Sequence, residues 1–289
     1  MYILRTLRNM VEKQVWMKRF ETDLRLKGLS ETTLKTYGLH LNLFLDSCSK
    51  EIESIVEEDV KDYLSFLIAE KKYKAKSLNL VKSSLRHFFH KVVKNNILSD
   101  IGSTKVPKKL PEILTKSEVK KLLSNIKNFK HKTLVLFMYS LGLRISELTN
   151  IKIKDLNFER HFCFIREGKG GKERAIPLPK ELSDKIKIFI QSRELTSEYV
   201  FYNKQGNRLS SRAIQKVVCQ AAEKAGLDKR VYPHMLRASF ATHMLEAGLD
   251  IRYVQHLLGH ENLDTTRIYT KVTSQADENI RKMMENLKI

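Results

Sequence analysis

One stretch of this chain carries no helical periodicity, and it divides the rest. From Ile101 the sequence runs IGSTKVPKKLPEILT, with Pro107, Pro111 and three lysines. Proline fixes its own φ and pushes the preceding residue out of the helical region. Residues 101–113 therefore read as a linker, with one domain over 1–100 and a second over 114–289. A chain of 289 residues is long enough for each to bury its own core.

Before the linker, apolar residues recur at steps of three and four, the spacing of one helix face. Leu34, Tyr37, Leu41, Phe44 and Leu45 form one stripe, with Ser30 as its cap. Val60, Tyr63, Leu64, Leu67 and Ile68 form the next, and Leu78, Val81, Leu85, Phe88, Phe89 and Val92 a third. Val11, Val15, Phe20 and Leu24 add a further helix. Stripes of this kind on short loops predict a small helical bundle. The back of the third stripe is polar, with Asn79, Lys82, Ser83, Arg86 and His90 behind Lys72, Lys74 and Lys76. That face is either solvated or laid along DNA phosphates. His87 and His90, beside Phe88 and Phe89, should divide between core and surface.

After the linker the pattern is mixed. Thr115 and Glu118 have the spacing of a capping box. FCFIREGKGGKERAIPL reads as two short strands around the turn Gly168-Lys169-Gly170-Gly171. One helix is expected from near His234 to Gly248, and another from Ile251 to Leu258, closed by Gly259. Ile280, Met283, Met284 and Leu287 make an apolar stripe on a last short helix. It must dock on something, either its own domain or a neighbour. The chain is thus expected to be mainly α with a small β-sheet, an α+β fold.

Charge narrows the partners. Lys and Arg number 53 against 33 Asp and Glu, a formal net charge of +20. Such an excess favours a polyanion, nucleic acid before anionic membrane. A hydrophobic fraction of 42% excludes a disordered basic tail. No apolar run is long enough for a membrane span. The start, MYILRTLRNM, is broken by Arg5 and Arg8 and lacks a cleavage site, so no signal peptide is expected. Cys48, Cys163 and Cys219 form no CxxC pair and read as reduced thiols of a cytoplasmic protein. GKGGKE lacks the spacing of a phosphate loop. His256 and His260 are spaced like metal ligands, but Gly259 ends the helix between them and no third ligand is evident.

The remaining polar residues suggest a reaction. Arg144 sits among Leu141, Leu143, Ile145 and Leu148, so it must reach the surface or pair with an anion. Glu147 and Glu118 are the candidate carboxylates. His234 and Arg237 project from one helix face, and Pro233 favours the first turn there, the end that attracts phosphate. Taken alone they would be an ordinary surface pair. His260 follows Gly259, and Tyr269 comes nine residues later. As a set, two arginines, two histidines, a turn lysine and a tyrosine are the parts of a metal-free phosphoryl-transfer site. Guanidinium forks pair two phosphate oxygens. A phenol can form a covalent ester that conserves the energy of the cut bond, and a lysine or histidine can protonate the leaving oxygen.

These residues resemble the catalytic half of the tyrosine recombinases, the phage integrase family, in its Xer type. The matching strings are GLRISEL, GKGGKERAIPL, PHMLRASFATHML and LLGHENLDTTRIYTKV, from about residue 115 to residue 272. The first hundred residues are similar to the family's SAM-like core-binding domain in helix pattern and length. The resemblance implies that Arg144 and Arg237 clamp a scissile phosphate and that Tyr269 forms a 3′-phosphotyrosyl bond. It further implies that Lys169 protonates the 5′ oxygen, with Lys172 the alternative. His234 would assist as acid or base, and His260 would bond a phosphate oxygen. No metal, nucleotide or other cofactor is implied. DNA contacts would come from Lys76, Lys82, Arg86 and Lys172, and Ile280, Met283, Met284 and Leu287 would contact a neighbouring protomer. The implied partners are a duplex recombination site and a homotetramer on DNA, a dimer of dimers, with room for a sister recombinase or a DNA translocase. No membrane partner is implied. The expected role is strand exchange through a Holliday junction in chromosome-dimer resolution, in the cytoplasm at the nucleoid. The alternatives are a plasmid or virus integrase, a relaxing topoisomerase, and a non-catalytic DNA-binding protein on the same scaffold.

Overall fold

The computed structural model describes residues 2–107, 111–166, 173–259 and 274–285. The chain divides into two compact units, Met1–Lys109 and Leu110–Ile289. The fold is mostly helical with one small three-stranded sheet, as the stripes and the single hairpin pattern predict.

The first unit contains α1 (Tyr2–Leu26), α2 (Glu31–Ser47), α3 (Glu57–Ala69) and α4 (Ala75–His87). Ser30 caps α2, its hydroxyl accepting the Thr33 amide. Phe20, Leu24, Leu41, Phe44, Val60, Val81 and Leu85 are buried together. Burial of each such side chain is worth about 1.5–3 kcal/mol. Ser84 is small enough to bring α4 against α2, and its hydroxyl donates to the Tyr37 carbonyl at 2.7 Å. Val11, Val15 and Ile68, expected in the stripes, stand exposed. A wider π-helical stretch, Phe88–Val93, continues α4. Its altered twist lets consecutive Phe88 and Phe89 both enter the core, while His90 stays exposed. His87 is bonded to Asp23 at 2.6 Å.

The polar back of α4 faces the chain's own backbone. Lys82 and Arg86, the expected DNA contacts, hold the chain's own backbone in the single chain. The Lys82 ammonium donates to the Gly102 carbonyl at 2.9 Å and to the Thr104 hydroxyl at 3.0 Å. The Arg86 guanidinium donates to the Ile101 carbonyl at 2.6 Å. The Asn79 side-chain amide forms a reciprocal pair with the Thr104 carbonyl and amide, both at 2.8 Å. The physical reason is that the segment after Ile101, lacking secondary structure, has bare carbonyls that need donors. Residues 101–104 are therefore fastened to α4. Lys76 remains exposed.

The second unit is built around α6 (Phe129–Ser140), in which every residue from Thr133 to Tyr139 is buried. A helix apolar on all sides must be surrounded. Against it pack α5 (Lys116–Ser124), α8 (Lys180–Gln191) and α10 (Pro233–Glu246), and α7 (Ile145–Asn150), α9 (Ser211–Lys224) and α11 (Ile251–Leu258) complete the helices of the unit's core. Thr115 and Glu118 form the expected capping box. Tyr139 and His243 tie α6 to α10 through a hydroxyl–imidazole bond of 2.7 Å. The sheet is an antiparallel meander of β1 (Leu156–Asn157), β2 (Phe162–Ile165) and β3 (Arg174–Pro177). The hairpin pattern predicts β2 and β3 but gives no sign of the two-residue β1. The turn residues Lys169 and Lys172 lie outside the described residues.

The last helix, α12 (Ser274–Glu285), takes one of the two dockings open to it, that on its own domain. Ile280 and Met284 are buried in this unit's own core and Met283 packs against it, so in the single chain the stripe does not wait for a neighbour. An apolar stripe in water lowers its free energy on the nearest apolar surface, and here that surface includes β3. The Glu285 carboxylate also accepts the Lys180 amide at 3.1 Å, at the start of α8. Leu287 lies outside the described residues.

Candidate active site

The site is assembled where two helices end. α6 closes at Gly142, whose φ of 57° suits glycine. The Gly142 amide donates to the Tyr139 carbonyl and the Leu143 amide to the Met138 carbonyl, at 3.0 and 3.1 Å. This is the paired-bond form of a left-handed helix stop. A Cβ on Gly142 would lie 2.4 Å from the Phe240 ring, so shape as well as φ requires glycine. The turn delivers Arg144 as the cap residue ahead of α7. α11 closes at Gly259, with φ 64°. A Cβ there would lie 3.0 Å from the Arg174 guanidinium.

The last carbonyls of a helix lack intrahelical partners and carry partial negative charge. At the end of α11 three successive carbonyls each accept an arginine. Leu257 accepts Arg174 Nε at 2.8 Å, Leu258 accepts Arg237 Nη2, and Gly259 accepts Arg144 Nη2 at 2.8 Å. Arg237 Nη1 also donates to the Gly142 carbonyl at 2.7 Å. Both helix stops are thus joined by one guanidinium.

Glu147 lies among the three arginines with its side chain fully buried. Its Oε1 accepts Arg144 Nη1 at 2.7 Å and Arg174 Nη1 at 2.8 Å. Its Oε2 accepts the Arg144 amide at 2.8 Å and Arg174 Nη2 at 2.9 Å, with Arg237 Nη1 at 3.8 Å. Burial alone would raise the Glu147 pKa. The Arg174 hydrogen bonds and charge, then those of Arg144, outweigh it and lower the value from 4.5 to about 2. Arg237 moves the other way for a cation. Burial first, and then the positive charge of Arg144 and Arg174, lower its pKa to about 9 against a partial offset from Glu147. Among the described residues, three guanidiniums against one carboxylate leave two positive charges. The Arg144 side chain is 25% exposed, whereas those of Arg174 and Arg237 are 5% and 4% exposed. An anion can therefore approach over Arg144, and a phosphate oxygen would relieve the excess.

The structure brings Arg144 and Arg237 together across 93 residues of sequence. His234 is exposed one turn before Arg237 on α10, at the helix start opened by Pro233. Lys169, Lys172, His260 and Tyr269 lie outside the described residues. On the hairpin arm before the turn, Arg166 is paired with Asp155 at 2.7 Å. Among the described residues no cluster of His, Cys, Asp or Glu could hold a metal ion. Glu118, the other carboxylate considered for Arg144, pairs with Lys229. Two members of the cluster were not singled out from sequence as site residues: Glu147, noted only as a surface partner, and Arg174. Strand alternation does carry a signal for Arg174. It shares an inward face with Ile176, where an unpaired charge would be costly.

Comparison with known proteins agrees with this geometry. Residues 112–276 match the Phage integrase family, and residues 16–98 match the phage integrase N-terminal SAM-like domain. This chain belongs to the phage integrase family. It is a tyrosine recombinase of the Xer type, an enzyme of DNA cleavage and religation. The recombinase is 41% identical over 278 residues to tyrosine recombinase XerA of Pyrococcus horikoshii, covering 94% of this chain and 93% of that one. It is 33% identical over 270 residues to tyrosine recombinase XerD of Listeria monocytogenes, covering 86% and 90%. Among solved structures, XerH bound to its difH substrate in a pre-cleavage complex matches with a TM-score of 0.66 at 28% identity, covering 85% of this chain and 78% of that one.

Glu147 makes the stability of this recombinase depend on acid. Its folded pKa is depressed, so its contribution is present above about pH 5 and is lost as pH falls toward 2. The shift from 4.5 to about 2 corresponds to about 3 kcal/mol. In urea unfolding across that window, the stability gap between wild type and Glu147→Gln should shrink by about that amount. A gap independent of pH would contradict the assignment.

Proposed function

We propose that this recombinase exchanges strands between two copies of a duplex DNA site, through a Holliday junction, and so resolves chromosome dimers. The observation carrying the reading is the convergence of Arg144 and Arg237 on one buried cluster with two excess positive charges. The cluster stands at the helix end that runs directly into His260 in the sequence. It has the charge and the paired donors to take a backbone phosphate.

In this reading Arg144 and Arg237 hold two non-bridging oxygens of the scissile phosphate. The Tyr269 oxygen attacks phosphorus, and its proton passes to His234 or to water. The bond from phosphorus to the 5′ oxygen breaks as the tyrosyl ester forms, and Lys169 supplies the proton that the 5′ oxygen needs. His260 donates to a phosphate oxygen. Reversal with a 5′ hydroxyl from the partner duplex rejoins the strands. No bond energy is lost, so the scheme requires neither ATP nor metal. Exchange between two duplexes cuts four strands, and one tyrosine per protomer then calls for a tetramer. A sister recombinase or a DNA translocase fits as a further partner, and chromosomal DNA as substrate places the enzyme in the cytoplasm at the nucleoid.

Lys76 and Lys172 would meet the DNA backbone directly. Lys82 and Arg86 would join them by exchange, because a phosphate oxygen bears charge and is a stronger acceptor than the carbonyls they now hold. We further propose residues 101–113 as the link between the two domains. The likeness to Xer relatives at 41% and 33% identity supports the chromosomal role over a mobile-element integrase.

Tyr269→Phe should keep DNA affinity and abolish the covalent adduct on a nicked site, read on a denaturing gel. An adduct formed by that variant would remove the nucleophile. Lys169→Ala should slow cleavage by roughly 10²- to 10⁴-fold, and a 5′-sulfur leaving group should restore most of it. Rescue of Lys172→Ala instead would move the general acid to Lys172. A host lacking the protein should accumulate dimeric chromosomes, and normal partition would reassign it to a mobile element.

A further inference from the structure

We propose that Arg174 is a positioning residue for DNA cleavage: by neutralising Glu147, it keeps Arg144 and Arg237 available to the scissile phosphate. The inference rests on the active-site reading above and adds to it a residue outside that set.

Arg174 donates only inward, to Glu147 with both ends of its fork and to the Leu257 carbonyl. Its side chain is 5% exposed, so little of it is left to meet a substrate directly. Its place is nevertheless fitted closely. It is the first residue of β3, opposite Ile165, and directly follows the turn region that carries Lys169 and Lys172. Its guanidinium lies close over Gly259, 3.0 Å from where a Cβ would stand. One side chain therefore joins the hairpin, the start of α7 and the end of α11.

The consequence is electrostatic. Without Arg174, Glu147 keeps its bonds from Arg144 and its neighbour Arg237. A carboxylate with fewer partners binds both more tightly and competes with phosphate for them. The excess of two positive charges falls to one. Meanwhile the phosphodiester gains about one negative charge on its oxygens as the tyrosine attacks, and preorganised cations matter most at that point. Loss of Arg174 should thus slow the chemical step more than it weakens DNA binding. Removing the Glu147 charge as well should return the excess to two and undo much of the loss.

The test is single-turnover cleavage of a nicked site by wild type, Arg174→Met, Glu147→Gln and the double variant, with DNA affinity and thermal unfolding measured for each. Arg174→Met should form adduct about 10²-fold more slowly at little-changed affinity. The double variant should recover at least about tenfold of that. Because Arg174 and Glu147 touch, their effects on stability are coupled, so the recovery counts only in the cleavage rate, measured at a temperature where the unfolding curves show every variant fully folded and at saturating DNA. A double variant as slow as Arg174→Met, or slower, overturns the proposal, as does an Arg174→Met that cleaves at the wild-type rate. Should Arg174→Met fail to fold, Arg174→Lys keeps the charge without the fork. It should cleave more slowly than wild type, with recovery in the Glu147→Gln background, and the same absence of recovery counts against the idea. A wild type that forms no adduct through Tyr269 would instead overturn the active-site reading, and the role of Arg174 with it.

Discussion

The second unit depends on a carboxylate that could not stay buried alone. Taking a charge out of water costs several kcal/mol even after relaxation, and breaking a buried pair by removing one partner typically costs 3–5 kcal/mol. Glu147 is tolerable only because Arg144 and Arg174 fill its lone pairs. Those arginines, with Arg237, are in turn held by the open carbonyls of α11. Each group compensates the desolvation of another, so residues from α7, β3, α10 and α11 form or fail together. A buried ion cluster is weak evidence of stability gained. It is stronger evidence of a geometry being held, since well-packed apolar groups would do as well for stability.

The cluster is also incomplete by design of its charges. A balanced network would carry as many carboxylates as guanidiniums. This one has three of one and a single one of the other, and the strain appears at Arg237, whose pKa is pushed to about 9 by burial and by its cationic neighbours. The same excess that costs stability in the free protein would become favourable with a phosphate beside it. Local features that oppose stability tend to sit where function needs them. The two glycine stops follow from this requirement. Gly142 and Gly259, both at positive φ, let backbone carbonyls turn toward the arginines, and at Gly142 a larger residue would also strike Phe240.

Much of the architecture was legible because helices announce themselves locally. α11 spans the predicted Ile251–Leu258, Ser30 and Thr115 cap as read, and the hairpin lies where its pattern put it. Arg144 and Arg237 were legible as types suited to phosphate, but their meeting point was not. Glu147 three residues after Arg144 looks like a surface ion pair. Only the tertiary fold, which buries α7 and brings β3 beside it, turns that pair into a shared centre. β1 escaped because two residues are too few to show a period.

Two surfaces whose partner the sequence left open meet the chain itself, for one reason. Lys82 and Arg86 form a cationic helix face, and periodicity places such a face without naming the oxygen it meets. A peptide carbonyl and a phosphate ask for the same donors at the same distance. Ile280 and Met284 form an apolar stripe, and its own core satisfies it as fully as a neighbour would. Sequence patterns of this kind specify the chemistry of a contact and leave its partner open. The partner is chosen by proximity, and in a single chain proximity favours the chain itself. Any partner that takes such a surface must then exceed the internal contact it displaces. For Lys82 and Arg86 that margin, toward any phosphate, would be the difference between a charged and a neutral acceptor, and not a matter of how many cations the helix face carries.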